Sequence, residues 1–308
     1  MPAQCNLIID SCCELPREAW DQPGVFVLGL SFTFDGEEHI DDFFQAISAH
    51  DFYEAMRNGA APSTSGASPR EIERAFREAI SAGVPAVYLA FSSGISGTYN
   101  TALLVLDKLK EEFGPDLPLY VVDTLAGSTT EGVIVLEALH QRERGLTARE
   151  MVEWVKEARY YVQTIFTVDN LDALHRGGRV PRSVAVAGDK LDVKPMLSWD
   201  LDGKLAVVGV ARGRKKALKR MVDFYEKNHG EAAGQPVILG NADCPKDAER
   251  LEGLIVDRNE DALIMHSSIG PTIGCHVGPG MASCCFWGDD RRKSLSVTDR
   301  IANKVKGN

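Results

Sequence analysis

The chain of 308 residues carries 34 basic and 44 acidic side chains, for a formal net charge of −10, and is 44% hydrophobic and 25% charged. Such usage is ordinary for a globular chain long enough to build two domains without a structural metal or disulfide. The acidic balance excludes a broad nucleic-acid surface and general attraction to anionic membranes, and no apolar run approaches the length of a membrane span. A cytoplasmic protein with no stable membrane insertion is expected.

Met1–Asp10 has no secretory pattern. The 7 cysteines include no Cys-x-x-Cys pair and read as reduced, mostly buried thiols. Asn6–Asp10 predicts a short strand ending at Asp10-Ser11. Val25–Phe34 reads as a strand with Asp35-Gly36 as a turn, and it fits either half of the chain. Pro62-Ser63-Thr64-Ser65-Gly66-Ala67-Ser68-Pro69 is a small, hydroxyl-rich loop that ends at a helix. There Ser68, Pro69 and Glu71 form a capping pattern, followed by Ile72, Ala75, Phe76 and Ala79 at helical spacing.

Val84–Phe91 predicts a second strand, ending in Ser92-Ser93-Gly94, with a helix over Thr98–Lys110. Leu117–Asp123 predicts a third, and Thr147 to Glu150 repeats the capping pattern before Met151, Trp154, Val155 and Ala158. Strands that are apolar on both faces and alternate with helices imply a parallel sheet covered on both sides.

The second half changes character. Thr164–Val168 predicts a strand, then the turn-rich Arg176-Gly177-Gly178-Arg179. Lys194–Trp199 and Lys204–Val210 flank Asp202-Gly203, a hairpin signal. A basic helix over Lys215–Tyr225 and strands at Val237–Gly240 and Ala262–Ser267 follow, and the polar tail from Asp289 reads as a surface helix. The expected fold class is α/β: an N-terminal three-layer α/β/α domain with a parallel sheet (1–160) and a C-terminal two-layer α/β domain with a mixed sheet (161–308).

Several loops carry binding chemistry. Phe91 to Tyr99 joins a strand's carboxyl end to a helix N-terminus, with serine hydroxyls and glycines that let an anion approach the backbone. Pro62–Pro69 offers the same at a second helix start. Ile269 to Gly280 wraps Gly and Pro around His276, a donor for an anion, and Arg179 offers a bidentate partner for a carboxylate. An ordinary capped loop, a self-satisfied histidine and a surface arginine are the plain alternatives. Arg212–Arg220 is a basic segment in an acidic chain, read as a solvated helix face or a docking site. A Gly-x-Ser-x-Gly elbow, a Walker loop and a His-x-x-x-His pair are all missing from the sequence, and no nucleophile stands beside an evident general base.

Ile9-Asp10-Ser11, Thr64-Ser65, Ser92 to Tyr99, Asp123-Thr124, Gly177-Gly178-Arg179, Val193 to Leu197, Ile269-Gly270-Pro271 and Gly274 to Gly280 occur in the order that marks one family. Over roughly residues 6–288 the chain resembles the DegV family, which includes the fatty-acid-binding subunits of bacterial fatty acid kinase. Cys12 and Cys13 depart from the small or hydroxyl residues usual there. The resemblance implies a carrier and not an enzyme. It implies one long-chain fatty acid, such as palmitate, stearate or oleate, held between the two domains with no cofactor and no metal. Its carboxylate would be held by Thr64, Ser93 and His276, with Ser65, Ser92 and Gly94 beside them. Arg179 would stand at the head-group mouth, serving the ATP-binding subunit of a fatty acid kinase. The competing readings are a phosphotransfer enzyme of a dihydroxyacetone-kinase-like type and a regulatory interaction protein.

Overall fold

In the computed structural model, which describes residues 3–181, 192–230 and 234–294, the apolar runs of the first half form a four-stranded parallel sheet. Its order is β2 (Val25–Leu28), β1 (Asn6–Asp10), β6 (Ala86–Ala90), β7 (Leu119–Asp123). Every residue of β1 and β6 is buried, because helices cover both faces. Ile8 and Tyr88 face α3 (Pro69–Ser81) and α4 (Thr98–Phe113). Leu7, Ile9, Val87 and Leu89 face α5 (Thr129–Glu143) and α6 (Ala148–Ala158).

The second half builds a six-stranded sheet in the order β10 (Leu205–Arg212), β9 (Val193–Trp199), β8 (Val162–Thr167), β13 (Ala282–Trp287), β11 (Pro236–Asn241), β12 (Leu263–Ser268). All neighbours are antiparallel except β11 and β12. α8 (Arg214–Asn228) and α9 (Pro245–Val256) cover its outer face. The protein is therefore a mixed α/β fold with a parallel sheet first and a mixed sheet second. The change falls between Ala158 and Val162.

α5 lies between the sheets, touching β1 on one side and β8, β11 and β13 on the other. That position explains why the sequence hides it. A helix covered on both sides has no polar stripe, so Val133, Ile134 and Val135 run together without helical spacing.

Val25–Phe34 does not form one strand. β2 edges the parallel sheet, and β3 (Ser31–Phe34) turns at Asp35-Gly36 into β4 (Glu37–Ile40). Both turn residues have positive φ, 50° and 82°, which suits a tight hairpin. β5 (Ser63–Thr64) pairs with the other side of β3. The Ile269–Gly280 loop contains a short helix, α10 (Pro271–Val277). Thr147 and Glu150 form the full reciprocal capping box, whereas Ser68 caps Glu71 N–H and the Glu71 carboxylate turns to Arg74. In the tail, residues 291–294 form a 3-10 turn, and the rest of the expected surface helix lies outside the described residues.

Candidate functional site

An apolar cavity of about 740 Å³, its mouth included, lies between the two sheets. Phe91 follows β6 on one wall, Phe166 and Trp199 come from the mixed sheet, and Leu30, Ile273 and Met281 fill the sides. Phe91 and Trp199 meet edge to face, with ring centroids 6.5 Å apart.

Part of the wall is polar. Thr64 Oγ1 lies 2.8 Å from His276 Nε2. β5 carries Thr64 and α10 carries His276, 212 residues apart in sequence. Ser96 and Arg179 border the same space. Ser96 Oγ donates to Thr98 Oγ1 at 3.0 Å, and Thr98 Oγ1 also accepts from Ala67 N–H at 3.2 Å, tying the two hydroxyl-rich loops together.

Burial, then the charges of Arg179 and Arg176, push His276 down to about 4, so the ring is neutral at pH 7. Its buried Nδ1 has no hydrogen-bond partner. A bare ring nitrogen costs less there than an orphaned N–H, so the proton belongs on Nε2 and is donated to Thr64. The Thr64 hydroxyl proton is then free to turn toward the cavity. Half-burial holds the Arg179 guanidinium below its ordinary value, and its Nη1 donates to the Gly177 carbonyl.

α10 is held at its start by carboxylates. Gly270 N–H donates to Glu14 Oε2 at 2.6 Å and Thr272 N–H to Asp41 Oδ2 at 3.2 Å. These two side-chain oxygens accept from free N–H groups at the start of the helix and fix the helix that presents His276. Tyr53 adds a 2.6 Å hydrogen bond to the Ile269 carbonyl.

The residues expected from sequence divide into two groups. Thr64, Arg179 and His276 share the cavity wall. Ser65 is exposed, and Ser92, Ser93 and Gly94 do not border the cavity. Ser92 Oγ donates to the Gly203 carbonyl at 2.7 Å and accepts from Gly94 N–H at 3.1 Å, which seals the seam between the halves. A Cβ on Gly94 would stand 2.5 Å from the Gly203 oxygen, so glycine permits that close approach. Ser93 N–H donates to Asp123 Oδ1 at 3.2 Å, and the residue faces a separate polar cleft with Tyr99, Lys156 and Arg159. Ser96, which the sequence reading passed over, is the serine of this loop in the wall; it is the last hydroxyl before α4. Glu14 and Asp41 carried no sequence signal at all. In the basic segment, Arg214 pairs with Asp247 at 2.8 Å, while Lys215, Lys216 and Lys219 line a surface groove with Arg250 and Arg258.

The two packed α/β halves thus enclose a largely apolar cavity with a small polar cluster in its wall. Residues 4–288 match the family model described as "Uncharacterised protein, DegV family", and the chain belongs to that family. It is 35% identical to a DegV domain-containing protein of Clostridium perfringens over 92% of this chain and 98% of that one. A DegV family protein from Thermus thermophilus, solved in a study of its fatty acid binding, superposes with a TM-score of 0.81 at 27% identity, covering 93% of this chain and 100% of that one. A fatty acid binding DegV family protein from Streptococcus agalactiae gives 0.80 at 25% identity, covering 93% and 99%. Among the described residues no helix is long and apolar enough to cross a membrane.

Proposed function

We propose that the chain carries a single long-chain fatty acid in this cavity, with the carboxylate at Thr64, Ser96 and His276. The supporting observation is the joining of an apolar cavity to the Thr64–His276 pair, in a fold whose relatives are described as fatty acid binding. The halves before and after residue 160 act as two domains with the ligand between them.

Magnitudes assign the roles. Burying about 14 methylenes at about 0.8 kcal/mol each gives on the order of 11 kcal/mol gross, from which association and ordering costs subtract heavily. The tail therefore supplies affinity. An unpaired buried carboxylate costs several kcal/mol, and the Thr64 hydroxyl, with Ser96 once its proton turns from Thr98, offsets that cost and fixes which end faces the mouth. His276 Nε2–H to Thr64 Oγ1, and Thr64 Oγ1–H to the carboxylate, form a relay of aligned hydrogen bonds. Arg179 at the mouth adds positive charge where a kinase subunit would meet the head group and make the acyl phosphate. The carrier then needs no base of its own. His276 fits this better than phosphotransfer, since Thr64 occupies its Nε2 and Gly177 packs against Nδ1.

The test is retention of a labelled fatty acid by Thr64→Ala, Ser96→Ala and Ser93→Ala. A hydrogen bond to a charged group is worth about 1.5–3 kcal/mol, so the first two should each weaken retention by roughly 10- to 100-fold. Ser93→Ala should stay near wild type. Loss in Ser93→Ala with none in Ser96→Ala would move the carboxylate to the other serine.

A further inference from the structure

The cavity wall away from Thr64 and His276 is not the plain hydrocarbon surface that an unadorned acyl chain asks for. Five hydroxyls border it: Ser128, Thr129 and Thr130 where α5 starts, Thr164 on β8 and Ser283 on β13. They form two pairs, Thr129 with Ser283 at 2.8 Å and Thr130 with Thr164 at 2.9 Å. Each pair uses one hydroxyl proton. Other donors already supply both pairs, since Trp199 Nε1–H reaches Thr130 at 2.9 Å and Gly240 N–H reaches Ser283 at 3.2 Å. One proton of each pair is left over, and among the described residues the group recorded beside it is the Cys285 sulfur, a weak acceptor.

Ser128 adds a third. It precedes α5, where a serine ordinarily caps the helix, yet it makes no cap hydrogen bond. Its hydroxyl is buried and has no partner. The residue is held at φ 56°, a conformation that side chains other than glycine seldom adopt. This stretch of wall thus holds hydroxyl protons without a strong acceptor, and the free N–H groups at the start of a 15-residue helix lie beside it.

We infer that this wall is a second polar subsite, which accepts an oxygen atom carried on the acyl chain. The ligand class is an oxygenated long-chain fatty acid, with a hydroxyl or keto group some way from its carboxylate. The inference rests on the fatty-acid reading and on the carboxylate lying at Thr64 and His276. An oxygen on the chain would accept from Ser128 and from the Thr130–Thr164 pair. A plain methylene there leaves these donors to trapped water or to nothing, and water needs two to four polar partners in a roomy site.

Affinities would be measured by competition for stearate and for a series of hydroxystearates with the hydroxyl at different carbons. The proteins are the wild type, Ser128→Ala and the near-isosteric Thr164→Val. Wild type should bind at least one positional isomer about fivefold or more tighter than stearate, a preference that is sharp in position. Both variants should bring that ratio to within about twofold of unity. Circular dichroism and melting curves would establish that each variant folds, and the isomer series on wild type needs no variant. Stearate binding as tightly as every isomer would overturn the subsite and leave water as the only occupant. A positional preference that survives in both folded variants would overturn the assignment to these residues. Failure of every acid to bind, stearate included, would instead contradict the fatty-acid reading.

Discussion

A methyl group added at Gly177 would stand 2.2 Å from His276 Nδ1, so the Gly177-Gly178-Arg179 turn needs glycine to let the ring lie where it reaches Thr64. Gly177→Ala should push the ring aside, cost about 1–3 kcal/mol of stability and speed release of bound fatty acid. Melting curves and release rates on one preparation would check both. An unchanged release rate would mean that His276 does not organise the head group. At this scale the sequence was partly readable. Thr64, His276 and Arg179 stood in dense motifs, and the fold brings them into one wall. The loop from Ser92 to Thr98 holds four hydroxyls, and nothing in the sequence says which one turns inward. Ser92 is engaged by Gly203, Ser93 faces another cleft and Thr98 Oγ1 accepts from Ser96 and Ala67 N–H, so Ser96 is the hydroxyl of this loop that borders the cavity.

Among the elements, α5 and α10 are the two that place the site, and both were hard to read. α5 lost its periodicity to double-sided burial. α10 depends on Glu14 and Asp41, which lie 256 and 231 residues from the groups they hold. β13, Ala-Ser-Cys-Cys-Phe-Trp, is buried over five of its six residues and offers no alternation. The strands with buried aliphatic runs, the Asp202-Gly203 hairpin and the capped helices α3 and α6 were legible, because their signals are local.

The same elements bury carboxyls with consequences for pH. Burial raises Asp10 and Asp41 from 3.8 to about 6, and burial followed by the Asp10 charge raises Glu131 well above its usual range. The folded state therefore binds these protons more tightly than the unfolded chain. Their contribution is fully present below the unfolded values near 4 and is lost as pH rises through about 6 and beyond. Glu131 shares a side-chain hydrogen bond with the buried Asp10. Glu131→Gln should flatten the fall in stability from pH 4.5 to 8, gaining most over wild type at the alkaline end. Urea midpoints across that range would show it. Parallel curves for the two proteins would mean that Glu131 is not charged by pH 8.

For the whole molecule, the proposed fatty-acid site lies between two layered halves, so on that reading entry and exit need the seam to loosen. Ser92 on one side and the Gly203 carbonyl on the other form one of its buried hydrogen bonds. Ser92→Ala should cost about 1–3 kcal/mol, the penalty for leaving a buried acceptor unpaired, and should exchange ligand faster without changing which acid is preferred. Stopped-flow exchange against excess unlabelled acid would read this, and a changed preference with unchanged exchange would place Ser92 at the ligand instead. The basic groove along α8 stands out against the acidic overall charge.

The most direct test of the carrier reading is to denature the purified protein, extract it with organic solvent and weigh what is released by mass spectrometry. The account predicts one long-chain fatty acid per chain, or uptake to that ratio after incubation with a fatty-acid panel. An empty extract from a folded protein that also refuses every acid in the panel would contradict it.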